Sequence, residues 1–452
     1  MADSLLNKRV DAIRRLARRG ATHAIAKVVA TTRAEDLAAA MGHLARNEQR
    51  LVFGQIRADD VAANVLVRVG NEDFVALTAE CPVDRLVRLF GEMEADDQTD
   101  LIELLPDEKR SAVLARLRGE EREQMEELLG YPPDSAGGIM SPLAFRLKED
   151  TTCREAIASV QEASDHELVY YVYVDNESGQ LVGVTSLRNL LTHPPSMRLA
   201  DIMATDVIAV EASTDQEEVA RIAGRYDLLA VPVVDEHRKL LGIVTVDDVI
   251  DVIREEAAED MLLMAGVGEE SVEAQMSGSR IGSALRRLPW LLVTLIGGVG
   301  ISEIIHQFNG VLSADLVLAG FIPMLTGMSG NVGIQSATLT VRNIAMGRLD
   351  TGVGSRISAE ALTGFLLGVV FSTLIGLYCM LRYNDLHTAL AVGIAITCNT
   401  TVAALMGTLV PLTLRRAGID PAIATGPFVT TGMDGVGVTV YLSIASVLLS
   451  AW

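Results

Sequence analysis

Residues 426–445 read GPFVTTGMDGVGVTVYLSIA. The stretch is apolar, rich in glycine, and carries one ionisable side chain, Asp434. It belongs to a segment long enough to cross a bilayer, which takes about 20 largely apolar residues in helical form. A carboxylate at membrane depth costs roughly 2.5–3.5 kcal/mol on insertion scales, so such a group normally faces a partner or a water-filled path. Gly432, Gly435 and Gly437 allow close backbone approach, and Thr430 and Thr431 place hydroxyls and carbonyls just before the acid. A glycine face for helix packing with an incidental acid is the bland alternative. The cost of the carboxylate favours a functional path.

Four further apolar segments, at about 288–307, 312–341, 358–381 and 387–412, precede the one at 422–449. Each is long enough to span a membrane as a helix. Arg286 and Arg287 precede the first; Arg342, Arg348 and Arg356 lie between the second and third; Arg415 and Arg416 lie between the fourth and fifth. The other two loops hold only Arg382. Cytoplasmic loops carry the excess of Lys and Arg, so five spans put the N-terminus in the cytoplasm and the C-terminus outside. Pro323, Gly327, Gly330 and Gly333 weaken the second span as an ordinary helix. Asn331 and Gln335, four apart, share a face that bonds across helices or lines a path. Glu360 in the third span and Asn399 in the fourth are further polar positions in apolar context.

The 452 residues carry a net charge of −21, and the charge is unevenly placed. From residue 281 on there are seven acids and eight bases, leaving 52 of 59 acids and 30 of 38 bases in residues 1–280. The front is therefore a soluble acidic assembly. Its charge argues against a nucleic-acid partner, which requires basic surface, and suits cations. Cys81, Cys153, Cys379 and Cys398 show no paired spacing and give neither a zinc motif nor a disulfide framework. The opening MADSLLNKRVDAIRRLARRG is basic and amphipathic and lacks the apolar core of a signal peptide, which agrees with a cytoplasmic front.

Residues 1–130 repeat short helical phrases such as RADDVAANVLVRV from Arg57 and PDEKRSAVLARL from Pro106. Each opens with Asp or Pro near a helix start and continues with helical apolar spacing. Stacked short helices predict a superhelix in which each unit buries its face on the next. Acids gather at Asp59–Asp60 and at Glu92, Glu94, Asp96 and Asp97; most are expected to be caps and solvated faces.

Residues 131–246 contain an internal repeat, divided here at 131–200 and 201–246. Met140 matches Met203, YYVYVD ending at Asp175 matches LAVPVVD ending at Asp235, and LVGVTSLRNLL around Gly183 matches LGIVTVDDVI around Gly242. Each copy reads strand, helix, strand, strand, helix. The copies resemble tandem CBS domains, α/β modules that pair and in that family often hold an adenine nucleotide, such as ATP, in their cleft. A Ser/Thr-x-x-Asp contacts the ribose there. The first copy has Ser186, Leu187, Arg188 and Asn189, with Asn in place of Asp, while the second has Thr245, Val246, Asp247 and Asp248. Arg188 and Asn189 are the nucleotide candidates, and a purely structural pair remains the alternative.

Residues 247–280 begin as an acidic helix and run into a linker. VDDVIDVIREEAAED, from Val246, holds seven acids and one base. Asp247, Asp251, Glu255 and Glu259 stand four apart, where like charges repel by a few tenths of a kcal/mol per pair. Either the run is a solvated face, or it shares hydrated Mg²⁺, a hard ion that keeps waters and is held by one or two carboxylates.

The whole order resembles the MgtE family of magnesium channels and transporters: helical acidic N domain, two CBS modules, acidic connecting helix, and five spans over residues 281–452. The most specific matches are PMLTGMSGNVGIQSATLTVRNIAMG at 323–347 and DPAIATGPFVTTGMDGVGVTVYLSIA at 420–445. The resemblance implies a multidomain fold: an α-helical superhelical N domain, α/β tandem CBS domains and an all-α membrane domain. It implies a homodimer in the bacterial inner membrane, with Mg²⁺ held hydrated in an axial pore by Asp434, helped by Thr430 and lined by Asn331, Gln335 and Gly435. It also implies a plug helix that cytosolic Mg²⁺ docks to keep the pore closed, through Asp227, Asp247, Asp248, Asp251, Glu255, Glu256 and Glu259 with Glu92 or Asp96 of the N domain. One departure is glycine at 426, where a polar residue is frequent in the family. A coupled divalent-cation exchanger and a membrane-anchored nucleotide or metal sensor are the competing functions; the intramembrane acid disfavours a mere anchor. No Walker loop, nucleophile elbow or histidine–acid metal motif points to an enzyme.

Overall fold

In the computed structural model, residues 2–117, 119–162, 169–267, 280–346 and 352–450 are described. Arg348 and residues 268–279 of the linker lie outside them. The chain divides into two units, Met1–Ile253 and Arg254–Trp452, and the division falls within one continuous helix, Val246–Met264.

The first unit opens with short helices from Ala2–Arg18 to Gly119–Leu128. Their first turns carry acids, among them Asp59, Asp60, Asp84, Asp96, Asp97 and Asp107, where the helix dipole favours negative charge. After the 17-residue first helix, each has eight to ten residues, too few to hold itself together in water. They pack instead on the next but one along the chain, around a core that includes Leu37, Leu66, Phe74, Leu86 and Phe90. Ion pairs Arg46–Glu72, Arg88–Asp59 and Arg116–Asp84 join residues one superhelical step apart. The predicted superhelix is what the described residues form.

The repeat gives two three-stranded sheets. Strands β1 (Arg146–Lys148), β2 (Tyr171–Asp175) and β3 (Leu181–Ser186) are ordered β1-β2-β3; β4 (Val210–Glu211), β5 (Ala230–Val234) and β6 (Leu240–Thr245) are ordered β4-β5-β6. In each, the outer pair is parallel and the hairpin antiparallel. The repeated methionines and glycines meet across copies. A side chain at Gly183 would strike Met203, 2.2 Å from its sulfur, and one at Gly242 would strike Met140, 3.0 Å from its sulfur. Each copy thus seats the methionine that precedes the other. The ladders also shift the sequence match of the strand ends by one. Asp175 pairs with Leu181 as Val234 pairs with Leu240, so Asp175 corresponds to Val234, not to Asp235. The reason is the turn: Asn176 and Asp235 are the equivalent caps, each accepting from the backbone N–H four residues on, Gln180 and Lys239.

The second unit holds five helices long and apolar enough to cross a membrane: Ala284–Gln307, Val317–Ala345, Val353–Tyr383, Leu386–Arg416 and Thr430–Leu448. All five expected spans are present. A short helix, Asn309–Ala314, precedes the second, and a 3₁₀ turn, Pro421–Thr425, precedes the helix Pro427–Ser450 that contains the fifth. Close helix packing here depends on glycine. An added methyl group at Gly407 would lie 2.4 Å from the Gly333 carbonyl, and one at Gly368 would lie 2.5 Å from Thr400 Oγ1. Gly407→Val should cost about 1–3 kcal/mol through overpacking. The check is thermal inactivation of the purified protein in detergent, with Gly376→Val, whose added methyl meets no atom within 4 Å, expected to change little.

Candidate metal centres and nucleotide cleft

The fifth span is held by notches in its neighbours. A methyl group at Gly297 of the first span would overlap the Thr431 methyl at 1.9 Å, and one at Gly333 of the second would overlap the Met433 sulfur at 1.7 Å. The buried Asn399 amide of the fourth span lies against Gly437. These contacts fix the rotation of the helix. They leave the half-buried Asp434 beside the first and second spans, its Oδ1 3.8 Å from where a Cβ at Gly330 would stand, while Gly435 faces Ile301. Among the described residues no cation pairs with this carboxylate. Thr430 donates to the Gly426 carbonyl at 3.2 Å, an ordinary within-helix bond. Asn331 and Gln335 are exposed on the second span in the single chain, a polar face that no other described helix of the chain covers. Deeper on that helix, Ser336 donates to Glu360 of the third span at 3.0 Å.

A second group of acids forms where the N domain meets the repeat. Ala95, the first residue of helix Ala95–Glu103, packs against the apolar cluster that contains Val249 and Val252 of the connecting helix. The first turns of these two helices are thereby brought together, and both are acidic. Asp96 is only 7% exposed and its Oδ1 has no hydrogen-bond partner. Burial, then Asp248 and Asp97, push its carboxyl well above the usual range. Asp97 is raised to about 7 by burial, Glu94 and Asp248. Asp248 is raised to about 6 by burial and by Asp247, against the bonds it accepts from Thr245. Glu94 is raised by burial and Asp247. Such crowding leaves a buried acceptor and excess negative charge, which fits a cation. No three His, Cys, Asp or Glu side chains among the described residues converge tightly enough to ligate an ion directly. A hydrated Mg²⁺, bound through its waters, tolerates that looser set.

A third group lies at the other end of the connecting helix. Burial, then Asp420 and Glu256, raise Asp260 to about 6. Asp420 itself caps the 3₁₀ turn before the fifth span, accepting from Ala422 N–H at 2.7 Å. The same helix ends against glycine: the Leu263 carbonyl is 3.2 Å from where a Cβ at Gly426 would sit. A larger polar residue at 426 would press on that carbonyl, so glycine here matches a close seat for the end of the helix.

The remaining sequence candidates are dispersed. Asp251 and Glu255 are exposed, and Glu256 and Glu259 half-buried, on the connecting helix. Glu92 is exposed on the turn before the Asp96 group. Asp227 is exposed in the left-handed conformation at a helix end, φ 53°. The spacing of four along the connecting helix singled out Asp247, Asp251, Glu255 and Glu259, whereas the fold separates its acids by which end they occupy. Glu94, Asp97, Asp260 and Asp420 were not among the candidates. The acidic first turn at 94–97 was the available signal for the first pair, and the spacing of four between Glu256 and Asp260 was the signal for Asp260; Asp420 had none, because its meeting with Asp260 depends on the chain's path.

The cleft between the two copies is lined by Phe145, Tyr170, Tyr171, Tyr173, Ala230 and Thr245. Aromatic rings of this kind suit a planar base, but as closed here they enclose only about 20 Å³, so a base enters only if the rings part. The Asn189 side-chain amide donates to the Ile202 carbonyl at 3.1 Å and its backbone N–H to Ser186 Oγ, so it caps its own module. In the second copy Thr245 and Asp248 bond each other, and Asp248 belongs to the acidic group rather than to a free ribose contact.

Comparison with known proteins gives a consistent result. Residues 322–444 match the MgtE family model, described as a divalent cation transporter; residues 32–134 match the MgtE intracellular N domain, and residues 199–255 match the CBS domain. The magnesium transporter MgtE of Thermus thermophilus is 36% identical over 441 residues, 96% of each chain. That of Enterococcus faecalis is 40% identical over 332 residues, 73% of this chain and 72% of the relative. Among solved structures, the cytosolic domain of the Mg²⁺ channel MgtE in complex with ATP is 34% identical and superposes with a TM-score of 0.51, covering 54% of this chain and 99% of that one.

Proposed function

The chain belongs to the MgtE family of magnesium transporters, and from that premise we propose that it is a Mg²⁺-selective channel closed by cytosolic Mg²⁺. The observation that carries this is Asp434: a carboxylate in a membrane span, beside Gly330, with no cation of the described residues against it. Two chains assemble so that their Asp434 carboxylates and Thr430 face a common axis, with Asn331, Gln335 and Gly435 lining the approach. The exposed polar face of the second span supports such a partner, since polar side chains in a span seek a cavity or another helix. Full dehydration of Mg²⁺ is unfavourable, so the ion is held through its waters. The protein lies in the inner membrane with its N-terminus in the cytoplasm, as the alternation of basic loops supports.

Closure rests on the two acidic groups at the ends of one helix. Mg²⁺ shared by Asp96, Asp97, Asp247 and Asp248 draws the N domain onto the repeat, and Mg²⁺ shared by Glu256, Asp260 and Asp420 seats the far end of the helix near Gly426. Asp227, Asp251, Glu255, Glu259 and Glu92 add diffuse negative charge that concentrates the ion. The aromatic cleft takes an adenine nucleotide, with Arg188 and Asn189 as the candidate contacts; the ATP complex of the related cytosolic domain supports this. The test is Mg²⁺ uptake in a bacterial strain lacking its own magnesium transporters, beside current from the purified protein in a planar bilayer. Restored growth at low Mg²⁺ and a current that follows the Mg²⁺ gradient without a counter-ion are expected. Uptake that requires an opposing ion gradient would make the protein an exchanger instead.

A further inference from the structure

At the hairpin ends of the repeat, sharing no lining residue with the aromatic cleft, lies a cavity of about 650 Å³ lined by Arg146, Lys148, Asp175, Gly179, Asp235 and Lys239 among others. The Asp235 carboxylate is engaged by its own turn, accepting from the His237 and Lys239 backbone N–H groups. Its volume is in the range of small-molecule sites, roughly 300–1,000 Å³. Three bases converge there in a chain of net charge −21. Arg146 and Lys148 bond only to the carbonyls of Leu240 and Asn176, at 3.2 and 3.0 Å, and neither forms an ion pair with a described residue. Among them sits Asp175, 6% exposed, whose Oδ1 has no hydrogen-bond partner. Burial raises its carboxyl above the ordinary range even with Lys148 and Arg146 nearby.

The repeat supplies an internal comparison. By ladder register the second copy carries Val234 where the first carries Asp175, and Glu211 where the first carries Lys148. Val234 is as buried as Asp175, so the fold is satisfied by a valine at this position. A buried carboxylate oxygen without a partner is costly, and the turn next to it is already capped by Asn176. Packing therefore gives no reason for the acid, and the surrounding bases give it no direct partner.

We propose that this cavity binds a small organic phosphate, its phosphate held by Arg146, Lys148 and Lys239 and its hydroxyl or amine donating to Asp175. Guanidinium and ammonium groups bind phosphate oxygens strongly, and the carboxylate selects phosphates that carry a donor from those that do not. The site is distinct from the aromatic cleft and needs no adenine.

The experiment is calorimetric titration of the full-length protein in detergent, at constant Mg²⁺, with glycerol 3-phosphate, inorganic phosphate and glycerol. Wild type should bind glycerol 3-phosphate about tenfold more tightly than inorganic phosphate, the worth of one charged hydrogen bond, and glycerol not at all. Arg146→Gln with Lys148→Gln, both exposed side chains, should weaken both phosphates by about tenfold or more. Asp175→Val, the residue of the second copy, should erase the preference and raise the melting temperature by about 2 °C or more, as relief of a buried unpartnered carboxylate requires. Absence of binding up to about 10 mM, a bound state too weak to use its contacts, would overturn the proposal. So would binding indifferent to the Arg146 and Lys148 changes, or a fall in melting temperature of Asp175→Val, which would make the acid structural.

Discussion

Asp434→Ala is expected to bring Mg²⁺ uptake down to that of cells without the protein, a loss of about a hundredfold or more. A divalent ion about 5 Å from a carboxylate, the span of one water shell, gains roughly 7 kcal/mol at an effective dielectric of about 20. Even a third of that is more than a tenfold change in occupancy, and two chains lose it together. Asp434→Asn keeps the shape and removes the charge, so it should share most of the loss. Neither change should harm folding, because each removes a charge that is expensive at membrane depth. Uptake in the complementation strain, with size exclusion to confirm assembly, is the measurement. Wild-type flux in Asp434→Ala would remove this residue from the pore.

The second large effect concerns docking of the N domain and its dependence on pH. Asp97 and Asp248 have carboxyl groups raised to about 7 and about 6, and Asp96 is raised well above 3.8, in the docked arrangement. Acids raised on docking bind more protons in the docked state than apart. The docked state is therefore favoured at low pH and loses that advantage as pH rises from about 4 through about 7. Mg²⁺ does at neutral pH what protons do at lower pH. Limited proteolysis of the full chain at pH 8 should be fast without Mg²⁺ and slow with millimolar Mg²⁺. At pH 5.5 it should be slow without the ion, by about tenfold, because an acid that holds its proton ten times more tightly when docked favours docking by about that factor. Asp96→Asn, Asp97→Asn and Asp248→Asn together should dock without Mg²⁺ at pH 8, and flux through that variant should stay low at low cytosolic Mg²⁺. Fast cleavage of the triple variant at every Mg²⁺ concentration would show that the ion supplies attraction these acids cannot do without, and that repulsion is not what keeps the domains apart.

The five spans and the division of charge near residue 280 were legible because they are local. A run of about 20 apolar residues has few fates in water, and 52 of 59 acids lie in the front. The superhelix was legible from capped short helices with apolar faces, and the repeat from three matches at offsets of 59–63 residues. Asp434 could be singled out because an acid within an apolar span stands out without any knowledge of its neighbours.

What the sequence could not contain was which acids would meet. Asp96 and Asp248 are about 150 residues apart, and only the packing of Ala95 on the cluster of Val249 and Val252 brings their helix starts together. Asp260 meets Asp420 for the same kind of reason, through the seat of the connecting helix near Gly426. The exchange of Met140 and Met203 between copies and the one-residue shift that sets Asp175 opposite Val234 belong to strand register. Register is decided by which side chains can be buried together. Composition and periodicity fix what each segment buries, whereas the distances between charged groups follow from how separate buried faces are matched, and that matching is a property of the tertiary structure alone.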